Sequence, residues 1–144
     1  MRYFINNVIA LLTHVLLAAI SILLFTFGPF ISDTSIWHII IAVVCPLGYA
    51  VCGVFLKPVE KLSFLSVAFV SVVLALALIF SIFSSDVPHA EFIYFYMNPL
   101  AFSVGILTSS SLPALYLSPV FPYLLMYLGI ILRKYLKYNV KAGR

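Results

Sequence analysis

One histidine has both the type and the position to do chemistry inside an apolar environment. His14 lies within the apolar run from Val8 to Phe27, and no other His, Lys, Arg, Asp or Glu is placed as far inside such a run. Ionisable residues within membrane segments are functional candidates, because charge is costly there. A neutral imidazole can hydrogen-bond to a hydroxyl group or take part in proton transfer. The sequence therefore predicts either a structural hydrogen bond or a proton pathway at His14.

The residues around His14 form one polar or small-residue face of a predicted helix. This stripe recurs at spacings of three and four residues and consists of Asn7, Ala10, His14, Ala18 and Ser21. Such spacing places the side chains on one side of an α-helix. The rest of the helix carries bulky Leu, Ile, Val and Phe, and small or polar residues favour packed helix faces in membranes. We expect the stripe to face the interior of a helix bundle.

Counting residues from the predicted membrane ends indicates which side chains lie at the same depth as His14. Counting from Lys57 leads to Tyr49 and counting from Arg133 leads to Met126 or Tyr127, while Ser66 and Ser71 lie on either side of this level on the third helix. Small residues also mark the second helix at Cys45, Gly48 and Cys52 and the third at Ala68, Ser71 and Ala75. No acidic residue lies at this depth, so the chain alone cannot form a carboxylate–histidine relay. We interpret His14 first as a hydrogen-bonded residue that fixes helix rotation.

A second polar cluster follows the third predicted helix. Asp86, His89 and Glu91 carry oxygen and nitrogen atoms of the kind that bind zinc or another divalent ion, although the identity of any metal stays open. Pro88 breaks the helical register between these residues, so the pattern has low specificity. The chain has none of the H-E-x-x-H, C-x-x-C or glycine-rich phosphate motifs, and we expect no cofactor.

Four long apolar segments are predicted to position these residues. They cover residues 5–27, 36–56, 62–83 and 114–132, and a membrane-spanning helix needs about 20 apolar residues. Residues 85–113 form a predicted outer-face segment. Its apolar part, 92–107, contains Asn98-Pro99, which disfavours a continuous helix. This part is therefore predicted to be interfacial or re-entrant, with a fifth span as the alternative.

The basic residues decide between four and five spans. All eight Lys and Arg residues fall outside the four apolar segments, and they can share one side of the membrane only if 92–107 does not span it. Lys and Arg are enriched in cytoplasmic loops. We therefore predict an all-α membrane protein with four transmembrane helices and with both termini cytoplasmic. The expected location is the cytoplasmic (plasma) membrane.

Composition excludes several classes of function. Of the 144 residues, 65% are hydrophobic and 8% are charged, with a mean hydropathy of +1.21, whereas a soluble domain carries about 25% charged residues. A single membrane domain over residues 1–144 is predicted. The net charge of +4 comes from basic residues at the predicted ends of the membrane segments. It therefore does not indicate a nucleic-acid-binding face. Cys45 and Cys52 are about 10.5 Å apart along a helix, too far for a mutual disulfide, and are predicted to be free thiols.

These observations favour an interaction protein over an enzyme. The first expectation is a small membrane protein that acts by helix packing against another membrane protein, as an accessory subunit, an assembly factor or an immunity-type protein. The first alternative is a proton- or solute-conducting channel or transporter that uses His14 within a homo-oligomer. The second alternative is a membrane enzyme with an outer-face site around His89 and Glu91. Besides a partner protein, the lipid bilayer is the expected partner of the chain.

Overall fold

The described part of the chain is almost wholly helical. The computed structural model describes residues 2–28, 34–57, 63–84, 94, 97–101 and 116–142. Within these residues 93% are helical and no β-strand occurs, which confirms the predicted all-α class. The helices are α1 (Arg2–Phe27), α2 (Thr34–Phe55), α3 (Ala68–Phe83) and α4 (Val120–Ala142), and a short 3-10 helix covers Ser63–Ser66.

Two of these helices are long and apolar enough to cross a membrane. α1 has 26 residues and the Ile36–Phe55 part of α2 has 20, which at about 1.5 Å per residue matches or exceeds a hydrocarbon core of about 30 Å. Only 28% of the most apolar stretch of each is buried. Bulky side chains such as Leu12, Leu16 and Phe55 are more than half exposed, which a helix in a soluble core would avoid. Both helices therefore agree with a membrane protein.

The third apolar segment is interrupted near its start. A continuous helix over 62–83 is predicted, but the structure has the 3-10 helix at Ser63–Ser66 and begins α3 at Ala68. Between them the backbone of Val67 leaves the helical region, with φ −136° and ψ 9°. The break exposes the first N–H groups of α3, one of which a side chain of α1 then caps. α3 has 16 residues, or about 24 Å of helix, so it is shorter than the predicted span.

The last helix begins later and ends later than the predicted span at 114–132. α4 begins at Val120, after a turn at Ser118 and Pro119, and continues to Ala142. Proline lacks an N–H and is best tolerated in the first turn of a helix, so Pro119 and Pro122 are compatible with this start. The basic tail then continues α4, because its Lys, Leu and Tyr residues are compatible with a helix.

Small residues set how closely the helices pack. α2 and α4 share the most extensive helix–helix interface, and a Cβ atom built on Gly53 or on Gly129 would collide with backbone atoms of the facing helix. Glycine at these positions lets the two backbones touch, which is typical of close helix crossings in membranes. Gly48 faces α1 instead, where its missing side chain makes room for Leu17.

The buried face of α1 is close to the predicted stripe but shifted at two positions. The buried residues are Asn6, Ala10, His14, Leu17 and Ser21, so Asn6 and Leu17 take the places expected for Asn7 and Ala18. The shift arises because the Asn7 side chain turns toward α3.

The buried face of α3 also differs from the predicted one. Val70 and Leu74 are its buried residues, whereas the predicted face of Ala68, Ser71 and Ala75 is half-buried. The larger side chains of α3 therefore belong to the hydrophobic core.

Candidate functional site

A line of polar contacts joins α1 to α2 along their length. We name it the α1–α2 polar seam; its pairs are Asn6 with Lys57, Thr13 with Cys52, His14 with Tyr49 and Ser21 with Cys45. Residue numbers rise along α1 as they fall along α2, so the two helices are antiparallel. His38 continues the same order, since its ring stacks on Phe25 with centroids 5.9 Å apart. The seam therefore fixes both the register and the rotation of α1 against α2.

His14 and Tyr49 form the most buried pair of the seam. The imidazole Nδ1 and the Tyr49 hydroxyl oxygen are 2.6 Å apart, and the two residues are 4% and 0% exposed. Their rings are stacked, with centroids 6.1 Å apart. The backbone of Met97 also lies beside the imidazole. His14 therefore joins three parts of the chain: α1, α2 and the segment at 97–101.

The contact with Tyr49 favours one tautomer of the neutral imidazole. Neutral imidazole has one donor and one acceptor nitrogen. With the ring proton on Nε2, Nδ1 accepts the Tyr49 hydroxyl proton and this buried hydroxyl group has an acceptor. An imidazolium would also donate from Nδ1 and would leave the Tyr49 hydroxyl proton without this acceptor. Because a buried unpaired donor costs about 1–3 kcal/mol, the geometry favours a neutral His14.

Two residues of the predicted outer-face segment form a second buried polar cluster together with Ser118. Tyr94, Asn98 and Ser118 are each at most 1% exposed, and we name them the inner triad. The Asn98 amide donates to the Tyr94 hydroxyl at 2.9 Å and to Ser118 Oγ at 3.2 Å. The two hydroxyl groups bond to each other at 2.5 Å. Asn98 Oδ1 also accepts the backbone N–H of Ala101 at 3.3 Å.

The inner triad lies at the depth of His14. Met97, next to Asn98, contacts the imidazole, and Leu100 belongs to the hydrophobic core. The described residues 94 and 98–101 are therefore packed against the interior of the helix bundle. Ser118 and Pro119 are buried and immediately precede α4, so the turn before this helix packs against the interior. Sequence reasoning missed the triad, because Asn98-Pro99 indicates only a helix break.

Side chains from α1 and α4 cap the end of α2. Asn6 Nδ2 donates to the Lys57 carbonyl at 2.9 Å. Arg133 donates to the carbonyls of Phe55 and Leu56, both at 2.8 Å. The last carbonyl groups of a helix lack intrahelical partners and attract cations. These bonds therefore complete the C-terminus of α2 and attach it to both neighbours.

Asn7 has the equivalent role at the start of α3. Its Oδ1 accepts the N–H of Phe69 at 3.1 Å, and its Nδ2 donates to the Leu65 carbonyl at 3.0 Å. Nδ2 also donates to the Tyr3 carbonyl of its own helix at 3.0 Å. An N-terminal cap usually comes from the capped helix itself. Here it comes from α1, so Asn7 ties α1 to both sides of the break at Val67.

Two predicted neighbours of His14 bond elsewhere. Ser71 donates to the Pro119 carbonyl at 2.6 Å, so it ties α3 to the start of α4. Tyr127 stacks on Tyr123 within α4, with ring centroids 5.9 Å apart, and packs against the hydrophobic core. Both residues hold α4 in place rather than extend the His14 contacts.

The predicted outer-face cluster of Asp86, His89 and Glu91 lies outside the described residues and stays a prediction. Across the described ranges, no group of three or more His, Cys, Asp or Glu side chains could hold a metal ion. Cys45 and Cys52 are free thiols, and each bonds to a hydroxyl group of α1. They therefore act as small polar members of the seam.

The described site can hold helices together, and its polar groups are already engaged with one another. Apart from Trp37 Nε1, every fully buried side-chain nitrogen or oxygen atom in the described part has a hydrogen-bond partner. A packed polar interior of this kind orders the helices but leaves little for a substrate to bind. The sequence matches no protein-family model, no curated protein and no solved structure, so its function is inferred from these residues alone.

Proposed function

We propose that this chain is a small multi-pass membrane protein that acts by packing against a partner membrane protein. The observation that carries the proposal is the contrast between its interior and its outer surface. Apart from Trp37 Nε1, the buried polar side-chain atoms of the described residues have hydrogen-bond partners within the chain, whereas the long helices expose large apolar side chains outward. Lipid or another membrane helix covers such a surface. Accessory subunits, assembly factors and immunity-type proteins are the roles of this class.

We further propose four membrane-crossing segments with both termini on the cytoplasmic side. Support comes from the described basic residues at one end of the bundle. Arg133 bonds to a carbonyl at the end of α2, and Lys57 follows this end and bonds through its carbonyl to Asn6, near Arg2 at the start of α1. Lys and Arg favour the cytoplasmic side. The third and fourth crossings would contain α3 and α4. A reporter that is active only outside the cytoplasm, fused after Arg144, should be inactive; activity would reverse the orientation.

Photo-crosslinking in intact membranes, followed by native mass spectrometry, tests the packing proposal. A photo-reactive amino acid at Leu16, which is 60% exposed, should capture a different protein in a fixed stoichiometry. The same amino acid at Leu74, which is 0% exposed, is the matched control and should link only to other parts of this chain. A stable monomer that has its own activity and crosslinks only to lipid would contradict the proposal.

A second candidate is a small proton- or solute-conducting transporter or channel, formed as a homo-oligomer around His14. The observation that favours it is the meeting of His14, the inner triad and the start of α4 at one depth. Transporters often build their sites from interrupted segments near the membrane midplane. His14→Gln should then abolish pH-dependent flux into liposomes. Wild-type-like flux in that variant, or no flux with the unmodified protein, would remove this candidate.

A further inference from the structure

Every Lys and Arg residue of the described part of the chain lies at one end of the bundle, which we name the basic end. It is formed by the start of α1, the end of α2 and the last part of α4. The basic residues there whose side chains the structure describes are Arg2, Lys57, Arg133, Lys134 and Lys137. The described part contains no Asp or Glu residue, so no described carboxylate neutralises these charges. The basic end is therefore a positively charged surface.

Hydrogen bonds keep the three helix ends of the basic end together. Asn6 donates to the carbonyl of Lys57, which ties α1 to the residue that follows α2. Arg133 donates to the carbonyls of Phe55 and Leu56, which ties α4 to the same end of α2. The positive residues are thus held at one level of the bundle instead of being distributed along it.

Four of the basic side chains are open to a ligand. Arg133 is bonded to the carbonyl groups at the end of α2, whereas the other four are exposed: Arg2, Lys57, Lys134 and Lys137. On α4 the consecutive residues 134–137 are all exposed, and four consecutive residues point to all sides of a helix. This part of α4 therefore extends past the packed part of the bundle.

The exposed basic residues lie at the depth of the lipid headgroups when the bundle is placed in a membrane. Lys134 and Lys137 follow Arg133 by about 1.5 and 6 Å along the axis of α4. The polar layer on each side of a bilayer is about 5–8 Å thick, since a bilayer of about 40–45 Å encloses an apolar core of about 30 Å. The end of α2 and the start of α1 lie at the same level, because Arg133 and Asn6 bond there.

Charge and position together favour an anionic lipid over an acidic segment of a protein. Lipid headgroups surround the end of any helix bundle that crosses a membrane, whereas an acidic protein segment would have to displace them. One Lys or Arg near an anionic membrane surface strengthens binding by about fivefold. Anionic lipids are also concentrated in the cytoplasmic leaflet, which is the side proposed for this end of the bundle.

We propose that the basic end preferentially binds anionic phospholipids, whose phosphate groups lie beside Arg2, Lys57, Lys134 and Lys137. The bound lipids belong to the first lipid shell around the bundle and need no preformed pocket. The proposal rests on the membrane location in the proposed function, but not on a protein partner. Its consequence is that the chain is more stable in membrane regions that are rich in anionic lipid.

Spin-labelled lipids in vesicles that contain the purified full chain measure this preference. EPR spectra give the relative association of phosphatidylglycerol and of phosphatidylcholine with the same acyl chains. At about 0.1 M salt, phosphatidylglycerol should associate about fivefold more strongly or better. At about 1 M salt the Debye length falls from about 10 to 3 Å, so most of the preference should be lost. Equal association of the two lipids at the lower salt concentration would overturn the proposal.

Substitutions on α4 test whether charge carries the preference. The double variant Lys134→Gln and Lys137→Gln should lower the preference for phosphatidylglycerol by about fivefold or more. Replacing the same two residues by arginine is the charge-matched control and should retain the preference. Leu136→Gln changes a residue between them that is 52% exposed, without a change in charge, and should also retain it. An unchanged preference in the folded double Gln variant would overturn the proposal.

The same spectra separate a failure of the lipid proposal from a failure of the membrane location. A bundle that crosses the membrane immobilises both labelled lipids at its exposed apolar surface. Immobilisation of neither lipid would contradict the membrane location itself and the lipid proposal with it. Immobilisation of both lipids to the same extent would overturn only the lipid proposal. Because the vesicles contain no other protein, a failed search for a protein partner leaves these results intact.

Discussion

An added methyl group at Gly53 should weaken the crossing of α2 and α4. A Cβ atom at this position would overlap the carbonyl oxygen of Met126 and would lie 2.8 Å from its carbonyl carbon and Cα. Non-bonded carbon atoms pack at about 3.5–4.0 Å, so α4 would have to withdraw by about 1 Å. At Gly48 the new Cβ would instead meet the side chain of Leu17, with Cδ2 at 2.8 Å. That side chain can rotate, whereas the backbone of α4 cannot.

The two alanine substitutions should therefore differ in stability. Overpacking against rigid neighbours costs about 1–3 kcal/mol. Each substitution also gains about 1 kcal/mol of helix propensity, and this gain cancels when the two variants are compared. Withdrawal of α4 would in addition stretch the bonds from Arg133 to the end of α2. We expect Gly53→Ala to have a free energy of unfolding about 1–3 kcal/mol below that of Gly48→Ala.

Titration with SDS in mixed micelles, followed by circular dichroism, measures both free energies of unfolding. Gly129→Ala lies on the facing helix at the same crossing, where its Cβ would meet backbone atoms of α2, and should repeat the loss seen with Gly53→Ala. Equal stability of Gly53→Ala and Gly48→Ala would refute the reasoning, because it would mean that the two backbones do not touch at this crossing.

Three further substitutions test the polar contacts by the same unfolding measurement. Tyr49→Phe should lower the free energy of unfolding by about 1–2 kcal/mol, because His14 Nδ1 loses its hydrogen-bond partner. A double-mutant cycle with His14→Leu should give a coupling energy of about 0.6–1.7 kcal/mol. Additive effects of the two substitutions would contradict the hydrogen bond between His14 and Tyr49. Asn98→Leu should cost about 1–3 kcal/mol through the lost amide bonds of the inner triad, and a neutral result would mean that the triad is not closed. Arg133→Gln should lower the free energy of unfolding by about 0.5–2 kcal/mol, because it removes the bonds from Arg133 to the end of α2. Lys134 is exposed, so the control substitution Lys134→Gln should change the free energy of unfolding by no more than about 0.5 kcal/mol.

The inward face of α1 could be predicted because polar residues are scarce in this segment. Helical spacing leaves one face that contains Ala10, His14 and Ser21, and all three are buried. The choice between Asn6 and Asn7 could not be made in this way, since the two are adjacent and chemically identical. It depends on where α3 begins, because Asn7 caps that helix, and this is a tertiary contact.

The inner triad could not be predicted, because it depends on a meeting of two separate segments. Asn98 and Ser118 follow no shared helical period, and each precedes a proline that indicates only a break. Depth counting from Arg133 stays within α4 and leads to Met126 or Tyr127. Of these two, Met126 is fully buried and lies against Gly53 of α2, whereas Tyr127 is half-buried. Tyr49 was predictable because α1 and α2 both have the length of a membrane span.

The most direct test of a packed polar interior is the reaction of the native cysteines with a membrane-impermeant thiol reagent. Cys45 and Cys52 lie on either side of Tyr49 in the seam and are 2% and 8% exposed. In sealed vesicles of either orientation both thiols should stay unlabelled, and both should react after denaturation. A cysteine placed at the exposed Lys137 is the control and should be labelled from one side only. Labelling of Cys45 or Cys52 in the folded protein would show a water-filled path beside His14 and would contradict the packed interior.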